Sequence, residues 1–267
     1  MATPFLRWAG AKRAMVPNLL RAVPAEYNRY VEPFLGSGAL FFALEPKRAV
    51  LNDSLAPLVE TYLAVRDDPA AVHAHVSEWR VDKESYYEVR SQSPKDRAAR
   101  AARFIYLNKT CWNGLYRVNL RGEFNVPFGR PKSSNIVSQQ TLEACSAALK
   151  RCESVGTGDF EQVLADCTPG DLVFLDPPYV TGHNNNGFIE YNEKLFTWND
   201  QCRLAREVRR LRNLGAHVIV TNADHDAIRE LYDGFELTSL TRHSTLAGDS
   251  SHRRKVSELV ITSASWE

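Results

Sequence analysis

The feature that most constrains the fold is an alternation of strand-like and helix-like segments, which is interrupted in the middle of the chain. Residues 30–35 are apolar enough for a buried strand, and residues 39–44 have a helical pattern after a glycine-containing turn. Residues 49–51 predict a second strand, and Ser54 is a candidate N-cap for a helix that continues to about Val65. Strand, helix, strand and helix in this order are typical of the beginning of a doubly wound α/β sheet.

The interruption covers about residues 67–150, which have a mostly helical pattern rich in arginine and alanine. Within it, residues 115–128 alternate in polarity around the turn sequence Asn119-Leu120-Arg121-Gly122, which predicts a β-hairpin. A stretch with its own pattern inside an α/β alternation indicates an insert or a second domain. We therefore expect an α/β domain formed by residues 1–62 and 153–267, and a mainly helical inserted domain formed by residues 63–152.

The alternation returns near Cys152. Predicted strands lie at residues 154–157, 171–175, 217–221, 235–240 and 256–262, and predicted helices lie at residues 199–213 and 224–232. Gly215 is placed to end the longer of these helices, and residues 182–187, with three consecutive asparagines, predict a loop. The pattern as a whole predicts the α/β class.

The composition is that of an ordinary globular protein, with 44% hydrophobic and 24% charged residues and a formal net charge of +1. These values exclude a collagen-like chain, a coiled coil and a disordered chain. No apolar run reaches the roughly 20 residues that a membrane helix needs, and the first 12 residues lack the pattern of a signal peptide. We expect a cytoplasmic protein without a membrane partner.

The five cysteines are widely spaced and odd in number, which argues against a disulfide framework. No Cys-x-x-Cys pair is present, and His73 and His75 have no nearby partners in the sequence, so no metal site is expected. Lysine and arginine cluster at residues 97–109, 117–132 and 242–255. Such basic stripes can hold a phosphate backbone, although a solvated helix face is the simpler explanation for any single stripe.

The segment Glu32-Pro33-Phe34-Leu35-Gly36-Ser37-Gly38 places two glycines between a predicted strand and a predicted helix. Glycines there let a ligand approach the backbone at the carboxyl end of a strand. The motif is shorter than Gly-x-Gly-x-x-Gly, so a dinucleotide is not favoured, and an ordinary tight turn is the alternative. Asp53, 15 residues after Gly38, ends the next strand and can accept hydrogen bonds from both ribose hydroxyls of a nucleoside. Asp159, before Phe160, ends another strand and can face an adenine amino group, but helix N-capping is the alternative for both aspartates.

The most specific chemistry lies in Asp176-Pro177-Pro178-Tyr179, which follows the apolar segment 171–175. The two prolines fix the backbone of a turn and leave the Asp176 carboxylate and the Pro177 carbonyl as a rigid pair of acceptors. Such a pair can accept both hydrogens of an exocyclic amino group and stabilise the positive charge that develops as its nitrogen attacks a methyl sulfonium. Tyr179 can stack on the base, which must be flipped out of a duplex to reach the pocket. A loop turn with a packed tyrosine is the alternative.

Several segments in this order resemble the motifs of the Dam family of DNA adenine methyltransferases. They are Phe5-Leu6-Arg7-Trp8-Ala9-Gly10-Ala11-Lys12, the glycine-turn segment 32–38, Asp53 and the Asp176 turn. Residues 113–130 resemble the family's DNA-recognition hairpin, and residues 253–259 resemble its C-terminal segment. The resemblance spans nearly the whole chain. It implies a Rossmann-like, S-adenosylmethionine-dependent methyltransferase fold in which the insert is the target-recognition domain.

The resemblance also implies roles for individual residues. Positions that contact S-adenosylmethionine in the family are Trp8, Lys12, Asp53 and Asp176, and the turn of Gly36 and Gly38 would pass close to its methionine end. The other residues assigned to the cofactor are Ala9, Gly10, Glu32, Pro33, Phe34, Asp159 and Phe160. The catalytic pocket is assigned to Asp176, Pro177, Pro178 and Tyr179.

The hairpin residues suit the major groove of DNA. Arg117 can grip the O6 and N7 edge of guanine, and Asn113 suits an adenine edge or an orphaned base. Trp112 and Leu115 can wedge into the stack that a flipped adenine leaves. The remaining predicted DNA contacts are Arg7 beside the pocket, Asn119 and Pro127 in the hairpin, and Lys109, Arg130 and Lys132 on phosphates. For these last three, a plain solvated surface is an equal alternative.

These motifs predict an enzyme that transfers a methyl group from S-adenosylmethionine to N6 of adenine in double-stranded DNA, with GATC as the leading target. Methylation of RNA or of cytosine N4 is the alternative within enzymes. Asp176, where cytosine enzymes more often have serine, argues against cytosine, and the hairpin argues against RNA. A catalytically inactive DNA-binding protein on the same scaffold is the alternative outside enzymes. A monomer is expected, and a cognate restriction endonuclease is left open as a partner.

Overall fold

The computed structural model describes residues 2–8, 10, 12–180, 196–243 and 255–263. Contacts divide the chain into two compact units: unit 1 contains residues 1–17 and 35–157, and unit 2 contains residues 18–34 and 158–267. The predicted loop at residues 182–187 lies outside the described residues. No helix of the described ranges has the length and apolar character to cross a membrane.

The described residues contain seven strands and ten α-helices. The strands are β1 (Tyr30–Glu32), β2 (Ala49–Asp53), β3 (Cys152–Thr157), β4 (Leu172–Leu175), β5 (His217–Ala223), β6 (Glu236–His243) and β7 (Lys255–Thr262). The helices are α1 (Val16–Leu19), α2 (Ala39–Leu44), α3 (Ala56–Asp67), α4 (Pro69–Ser77), α5 (Lys83–Ser91), α6 (Arg97–Thr110), α7 (Gln139–Leu149), α8 (Phe160–Ala165), α9 (Trp198–Leu214) and α10 (Asp226–Leu231). These positions confirm the α/β class and the helical pattern of the central stretch.

Five strands of unit 2 form a sheet in the order β1-β4-β5-β7-β6. β1, β4 and β5 are parallel, whereas β7 is antiparallel to both of its neighbours. All four residues of β4 are buried, as expected for a parallel strand that is covered on both faces. Because Leu175 is in register with Val220, the residues that follow them, Asp176 and Thr221, lie at the same edge of the sheet.

In unit 1, β2 and β3 pair in parallel, and the helices of the predicted insert pack against α3. α6 and α7 each contact α3, and α4 contacts both α6 and α7. Through this shared packing, α3 and the predicted insert belong to one compact unit. The functional borders at residues 62 and 152 stay a prediction.

The ends of α9 follow from local signals. Thr197 and Asp200 form a capping box at its beginning, in which each side chain accepts the backbone N–H of the other residue. Leu204, Val208 and Leu211 are buried along one face of the helix. The helix ends before Gly215, as predicted.

The predicted cap of α3 is wrong. The helix begins at Ala56, and its N-cap residue is Leu55 rather than Ser54. Oδ1 of Asp53 accepts the backbone N–H of Leu55 at 3.0 Å, which holds Leu55 in the loop before the helix, and no side chain caps the first turn.

The segment 115–128 forms the predicted hairpin, although without a regular ladder in the described residues. Isolated bridges pair Val118 with Phe124 and, at its base, Cys111 with Phe128. The buried residues that pack around its base are Tyr86, Val89, Tyr106, Leu107, Cys111 and Val126. The hairpin is therefore anchored in unit 1 by side-chain packing at its base, while its tip is exposed.

Candidate active site

The turn from Asp176 to Tyr179 leaves the carboxyl end of β4 in unit 2, as predicted. Oδ1 of Asp176 accepts a hydrogen bond from Oγ1 of Thr221 at 2.6 Å. Thr221 lies in β5 directly after the residue paired with Leu175, so the register of two parallel strands brings both side chains together. A carboxylate held from a rigid strand keeps one orientation, which an acceptor of a fixed amino group requires.

The Tyr179 side chain is anchored at its tip. Its hydroxyl donates to Oε2 of Glu258, in β7, at 3.0 Å, and Glu258 is buried. Burial, followed by the charges of Asp176 and Glu258, holds the pKa of Tyr179 well above its ordinary value. The phenol therefore stays protonated and acts as a donor towards Glu258.

A buried pair of amide side chains holds the next carbonyl of the turn. Nε2 of Gln201, in the first turn of α9, donates to the carbonyl oxygen of Pro178 at 3.0 Å. Oε1 of Gln201 in turn accepts a hydrogen bond from Nδ2 of Asn222 at 3.0 Å. Both amide side chains are 0% exposed. Thr221 therefore holds the turn directly, whereas Asn222, the next residue of β5, holds it through Gln201.

Glu32, the last residue of β1, and Phe34, two residues further on, have different surroundings. Oε2 of the buried Glu32 accepts a hydrogen bond from the hydroxyl of Tyr30 at 2.9 Å. Burial and the charge of Glu32 raise the pKa of Tyr30 well above its ordinary value. The Phe34 ring packs against Phe160 and Phe196, at centroid distances of 5.4 Å and 5.7 Å. Two predicted cofactor residues, Phe34 and Phe160, are thus in direct contact. Pro33, which precedes Phe34 in the chain, is buried.

Asp159 is the N-cap residue of α8. Its Oδ1 accepts the backbone N–H of Glu161 at 2.9 Å and lies 2.8 Å from a guanidinium nitrogen of Arg203. The guanidinium of Arg203 also lies over the ring of Phe160, 4.9 Å from its centroid. N-capping, the alternative considered for Asp159, is therefore one role that it has, and its contact with the cofactor stays a prediction.

Asp53 ties the glycine turn to the end of β2 in unit 1. Its Oδ2 accepts the backbone N–H of Gly36 at 2.9 Å, while Oδ1 accepts that of Leu55. Gly36 has a φ of +47°, and a Cβ there would lie 2.9 Å from Cδ1 of Trp8, so glycine is required. Burial raises the pKa of Asp53 against the lowering effect of the two N–H donors. A half-buried carboxylate beside an approachable backbone suits a nucleoside ligand.

Trp8 connects this turn to the hairpin within unit 1. Its ring stacks on Phe104 and on Tyr116, a hairpin residue, at centroid distances of 6.3 Å and 6.2 Å. Its indole also lies against the backbone of Gly36, so close that a Cβ on Gly36 would be 2.9 Å from Cδ1 of Trp8. Unit 1 thus places a predicted cofactor residue in contact with the predicted DNA-recognition element.

The remaining predicted cofactor residues of unit 1 are near the N-terminus and at the beginning of α2. Lys12 is buried, and its Nζ donates to the carbonyl oxygen of Gly10 at 2.6 Å. Gly38 is the N-cap residue of α2. Ala9 lies outside the described residues. The cofactor contacts of these residues stay predictions.

The predicted base-reading side chains of the hairpin are exposed. Nε of Arg117 donates to Oδ1 of Asn125 at 2.8 Å, which extends the guanidinium along the hairpin. Oδ1 of Asn119 accepts the backbone N–H groups of Arg121 and Glu123, so this asparagine also shapes the tip. Other predicted DNA contacts that are exposed are Arg7, Trp112, Asn113, Pro127 and Arg130. Their contacts with DNA stay predictions.

The two predicted wedge residues differ in their surroundings. Trp112 is 46% exposed, whereas Leu115 packs against the buried cluster at the base of the hairpin. Leu120, at the tip, is fully exposed and was not singled out from the sequence. Asn113 lies between Trp112 and Leu115 in the chain. Its φ is 54°, a left-handed conformation that asparagine tolerates.

A cleft of about 240 Å³ in unit 1 is basic. It is lined by Arg13 and Lys109 and by Ser138 and Thr141 at the beginning of α7. Burial, followed by the charges of Arg7 and Arg13, lowers the pKa of Lys109 to about 8. Within the described part of the chain, Lys109 forms no ion pair. A desolvated cation of this kind gains from a phosphate ligand, which agrees with its predicted role.

Sequence reasoning missed the residues that hold the Asp176 turn: Gln201, Thr221, Asn222 and Glu258. The available signal was the presence of polar residues in predicted buried strands, because a buried polar side chain needs a partner. The sequence does not reveal which partner, since Thr221 is 45 residues from Asp176 and Glu258 is 79 residues from Tyr179.

Comparison with known proteins identifies the family. Residues 8–246 match the D12 class N6 adenine-specific DNA methyltransferases. The chain is 34% identical to the type II methyltransferase M1.LlaDCHI of Lactococcus lactis subsp. cremoris, over 97% of this chain and 94% of that protein. It is 36% identical to the type II methyltransferase M.MjaIII of Methanocaldococcus jannaschii, over 88% of this chain and 89% of that protein.

A third relative carries the name that the motifs indicated. The chain is 32% identical to the DNA adenine methylase of Escherichia coli K12, over 96% of this chain and 93% of that protein. These matches confirm the resemblance to the Dam family and the assignment as an enzyme. The chain therefore belongs to the D12 class of N6 adenine-specific DNA methyltransferases.

Proposed function

We propose that this methyltransferase transfers a methyl group from S-adenosylmethionine to N6 of adenine within GATC in double-stranded DNA. Membership of the family establishes that the methyl group goes to N6 of adenine in DNA. The identity of the methyl donor and the target sequence are our proposals. The observation that most supports the reaction is the Asp176 carboxylate at the end of β4, which Thr221 orients at 2.6 Å.

The reaction needs two acceptors for one amino group. In our proposal the Asp176 carboxylate accepts one hydrogen of the target amino group and the Pro177 carbonyl accepts the other, which frees the nitrogen lone pair. S-adenosylmethionine supplies an electrophilic methyl group when it is bound. As positive charge develops on the nitrogen, the fixed carboxylate stabilises it, and losing such a preorganised group costs about 10²- to 10³-fold in kcat. Asp176 acts as an acceptor rather than as a general base, because the amino group becomes acidic only after methylation. The bond between nitrogen and methyl forms as the bond between methyl and sulfur breaks, the thioether S-adenosylhomocysteine leaves, and the methylated nitrogen then releases one proton to water.

Tyr179 has the role of holding the flipped base. Extruding a base from the duplex costs a few kcal/mol, and stacking on an aromatic ring returns about 1–3 kcal/mol. Because the hydroxyl of Tyr179 is held by Glu258, its ring is fixed before the base arrives. Little ordering is then left for the binding step.

The residues assigned to the cofactor fit S-adenosylmethionine in their chemistry. The half-buried Asp53 carboxylate suits two ribose hydroxyls, and the backbone of Gly36 offers a surface without a side chain. The paired rings of Phe34 and Phe160 suit a flat heterocycle. We propose that Asp53, Gly36 and Trp8 of unit 1 contact the cofactor, and we separately propose the same for Phe34 and Phe160 of unit 2.

DNA recognition is assigned to the exposed hairpin and the basic cleft. Arg117 is the proposed reader of guanine, and Asn113 and Trp112 are proposed to contact the bases next to the flipped adenine. Lys109 is proposed to hold a phosphate, since it is half-buried without an ion pair in the described ranges. As a DNA enzyme, the protein is proposed to act as a monomer in the cytoplasm. Because relatives are named type II methyltransferases, a companion restriction endonuclease is the partner to look for first.

The test is transfer of a tritiated methyl group to two duplexes, one with a single GATC site and one with its adenine replaced. The proposal predicts incorporation into the first duplex only, recovered as N6-methyladenine. Incorporation into both duplexes would retain the reaction and reject GATC. Cofactor binding without any transfer to DNA would reject the proposed substrate. Asp176→Asn, which loses the charge of the carboxylate, serves as the control of low activity.

A further inference from the structure

Glu258 has an unusual position for a carboxylate. It lies in β7, in register with Ala223 of β5, and it is 1% exposed. The residues that follow it, Leu259, Val260 and Ile261, are all buried and apolar. An apolar side chain would be expected here, because burying a carboxylate is costly unless specific partners compensate for it.

One partner of Glu258 is a residue of the catalytic turn. Its Oε2 accepts the hydrogen bond of the Tyr179 hydroxyl at 3.0 Å, and the two residues are 79 positions apart in the chain. A hydrogen bond at the tip of a tyrosine fixes the direction of the side chain, and because a phenol O–H prefers to lie in the plane of the ring, it also favours one orientation of the ring face. Glu258 thus restricts where the ring and its face lie, although it does not itself reach the reacting atoms.

We propose that Glu258 is a positioning residue for methyl transfer, which acts by holding the hydroxyl of Tyr179 so that the ring receives the flipped adenine in a productive position. This inference rests on the proposed function. Residue 258 must therefore provide an oxygen atom that accepts the hydrogen bond of the Tyr179 hydroxyl. A misplacement of about 1 Å at a reacting group can reduce the rate of a chemical step about 10²-fold.

The experiment compares Glu258→Leu, which removes the acceptor, with Glu258→Gln, which keeps an acceptor oxygen in nearly the same shape. Tyr179→Phe removes the donor, and the double variant Tyr179→Phe/Glu258→Leu closes a double-mutant cycle. The matched control is Ser257→Ala. It removes a neighbouring hydrogen bond of β7, from Ser257 Oγ to Asp224, on the opposite face of the strand.

For each variant, kcat, the Kd for S-adenosylmethionine and the fluorescence of 2-aminopurine at the target position are measured. We expect Glu258→Leu and Tyr179→Phe each to lower kcat about 10- to 100-fold, with the cofactor Kd unchanged. The double variant should be no worse than the more impaired single variant. Glu258→Gln and Ser257→Ala should remain within about threefold of the wild type. Weaker quenching of 2-aminopurine should accompany each loss of kcat, since stacking on the ring quenches this base.

Three outcomes would overturn the inference while leaving the methyltransferase in place. They are wild-type kcat in Glu258→Leu or Tyr179→Phe, equal damage in Glu258→Gln and Glu258→Leu, or additive losses in the double variant. If Glu258→Leu does not fold, the comparison of Tyr179→Phe with Glu258→Gln still decides, because the inference requires the first to be impaired and the second to be active. A wild-type protein that transfers no methyl group to adenine would reject the proposed function itself.

Discussion

The carboxylate of Asp53 and the backbone N–H of Gly36 form a hydrogen bond of 2.9 Å, which ties the glycine turn to the end of β2. The same carboxylate accepts the N–H of Leu55 and so also holds the chain that leads into α3. A residue proposed to bind the cofactor ribose is therefore also a structural brace. Cofactor binding and local stability are expected to respond together when it changes.

Asp53 gives a prediction about acid pH. Burial raises its pKa, so between the ordinary and the raised value the folded chain binds a proton that the unfolded chain does not. Ionised Asp53 therefore costs stability at neutral pH, and this cost disappears as the pH falls through the raised pKa. Ribose hydroxyls would donate to the ionised form, so the affinity for S-adenosylmethionine should fall as the pH is lowered through that range.

Calorimetric titration of the wild type and of Asp53→Asn across acid and neutral pH checks this expectation. The asparagine variant should bind the cofactor about 10-fold more weakly at neutral pH, because hydrogen bonds to a charged group contribute about 1.5–3 kcal/mol. It should also lose the acid dependence. Wild-type affinity in Asp53→Asn at neutral pH would remove Asp53 from the cofactor site.

Lys109 gives a prediction about alkaline pH. Its pKa is lowered to about 8, so above this pH the folded chain releases a proton that the unfolded chain keeps. Protonated Lys109 therefore costs stability below about pH 8, and the cost disappears as the pH rises towards the ordinary lysine value. If a DNA phosphate binds the protonated form of Lys109, then above this pH the protein must take up a proton when it binds DNA. The affinity for DNA should therefore fall about 10-fold for each unit of rising pH.

Fluorescence anisotropy with a labelled duplex at pH 7 to 9, at constant ionic strength, measures the effect of Lys109. Lys109→Arg keeps the charge and should show a much flatter dependence on pH, while Lys109→Met should bind weakly at every pH. Equal pH profiles for the wild type and Lys109→Arg would show that Lys109 does not contact the phosphate backbone.

Arg117 is expected to contribute to sequence specificity. Arg117→Ala should cost about 1–3 kcal/mol in kcat/KM on GATC, since a bidentate contact to guanine is worth that much. Replacement of the guanine by 7-deazaguanine, which lacks the N7 acceptor, should impair the wild type and leave Arg117→Ala unchanged. Arg121→Ala is the matched control, because Arg121 is an equally exposed arginine of the same hairpin. If Arg121→Ala and Arg117→Ala lose equal activity, Arg117 contributes only general charge.

Gly129 is required by the close approach of two backbone segments at the base of the hairpin. A Cβ on Gly129 would lie 2.2 Å from the carbonyl oxygen of Cys111, whereas the nearest atom to a Cβ on Gly156, Oδ1 of Asn52, is 3.9 Å away. We expect Gly129→Ala to destabilise the protein by more than about 3 kcal/mol, and Gly156→Ala by less than about 1 kcal/mol. Urea denaturation measures both. Equal midpoints for the two variants would mean that the backbone at Gly129 has room to shift.

Elements whose signals are local could be predicted from the sequence. The apolar run before Asp176 predicts β4, and the polar and apolar pattern that ends at Gly215 predicts α9. The turn chemistry of residues 119–122 predicts a hairpin, although the pattern does not show that packing holds its base. The predicted cap of α3 was wrong because the Asp53 carboxylate holds the backbone N–H of Leu55 in the loop before the helix, so that Leu55 rather than Ser54 is the N-cap residue.

The supports of the site could not be predicted, because they depend on strand register. Thr221 reaches Asp176 only because β4 and β5 are parallel and Leu175 pairs with Val220. Glu258 reaches Tyr179 from a strand that is antiparallel to β5. Such pairings join residues far apart in the chain, and neither local propensity nor hydrophobic periodicity records them.

The most direct test of the central claim is to map modified adenines in the DNA of a bacterial host that lacks its own adenine methylase. The host expresses either this chain or its Asp176→Asn variant, and single-molecule sequencing reports each modified base with its sequence context. The account predicts N6-methyladenine at essentially every GATC with the wild type and at far fewer GATC sites with Asp176→Asn, which loses the charge of the carboxylate. Methylated adenine in a different sequence, methylation of cytosine, or equal methylation with the Asp176→Asn variant would contradict it.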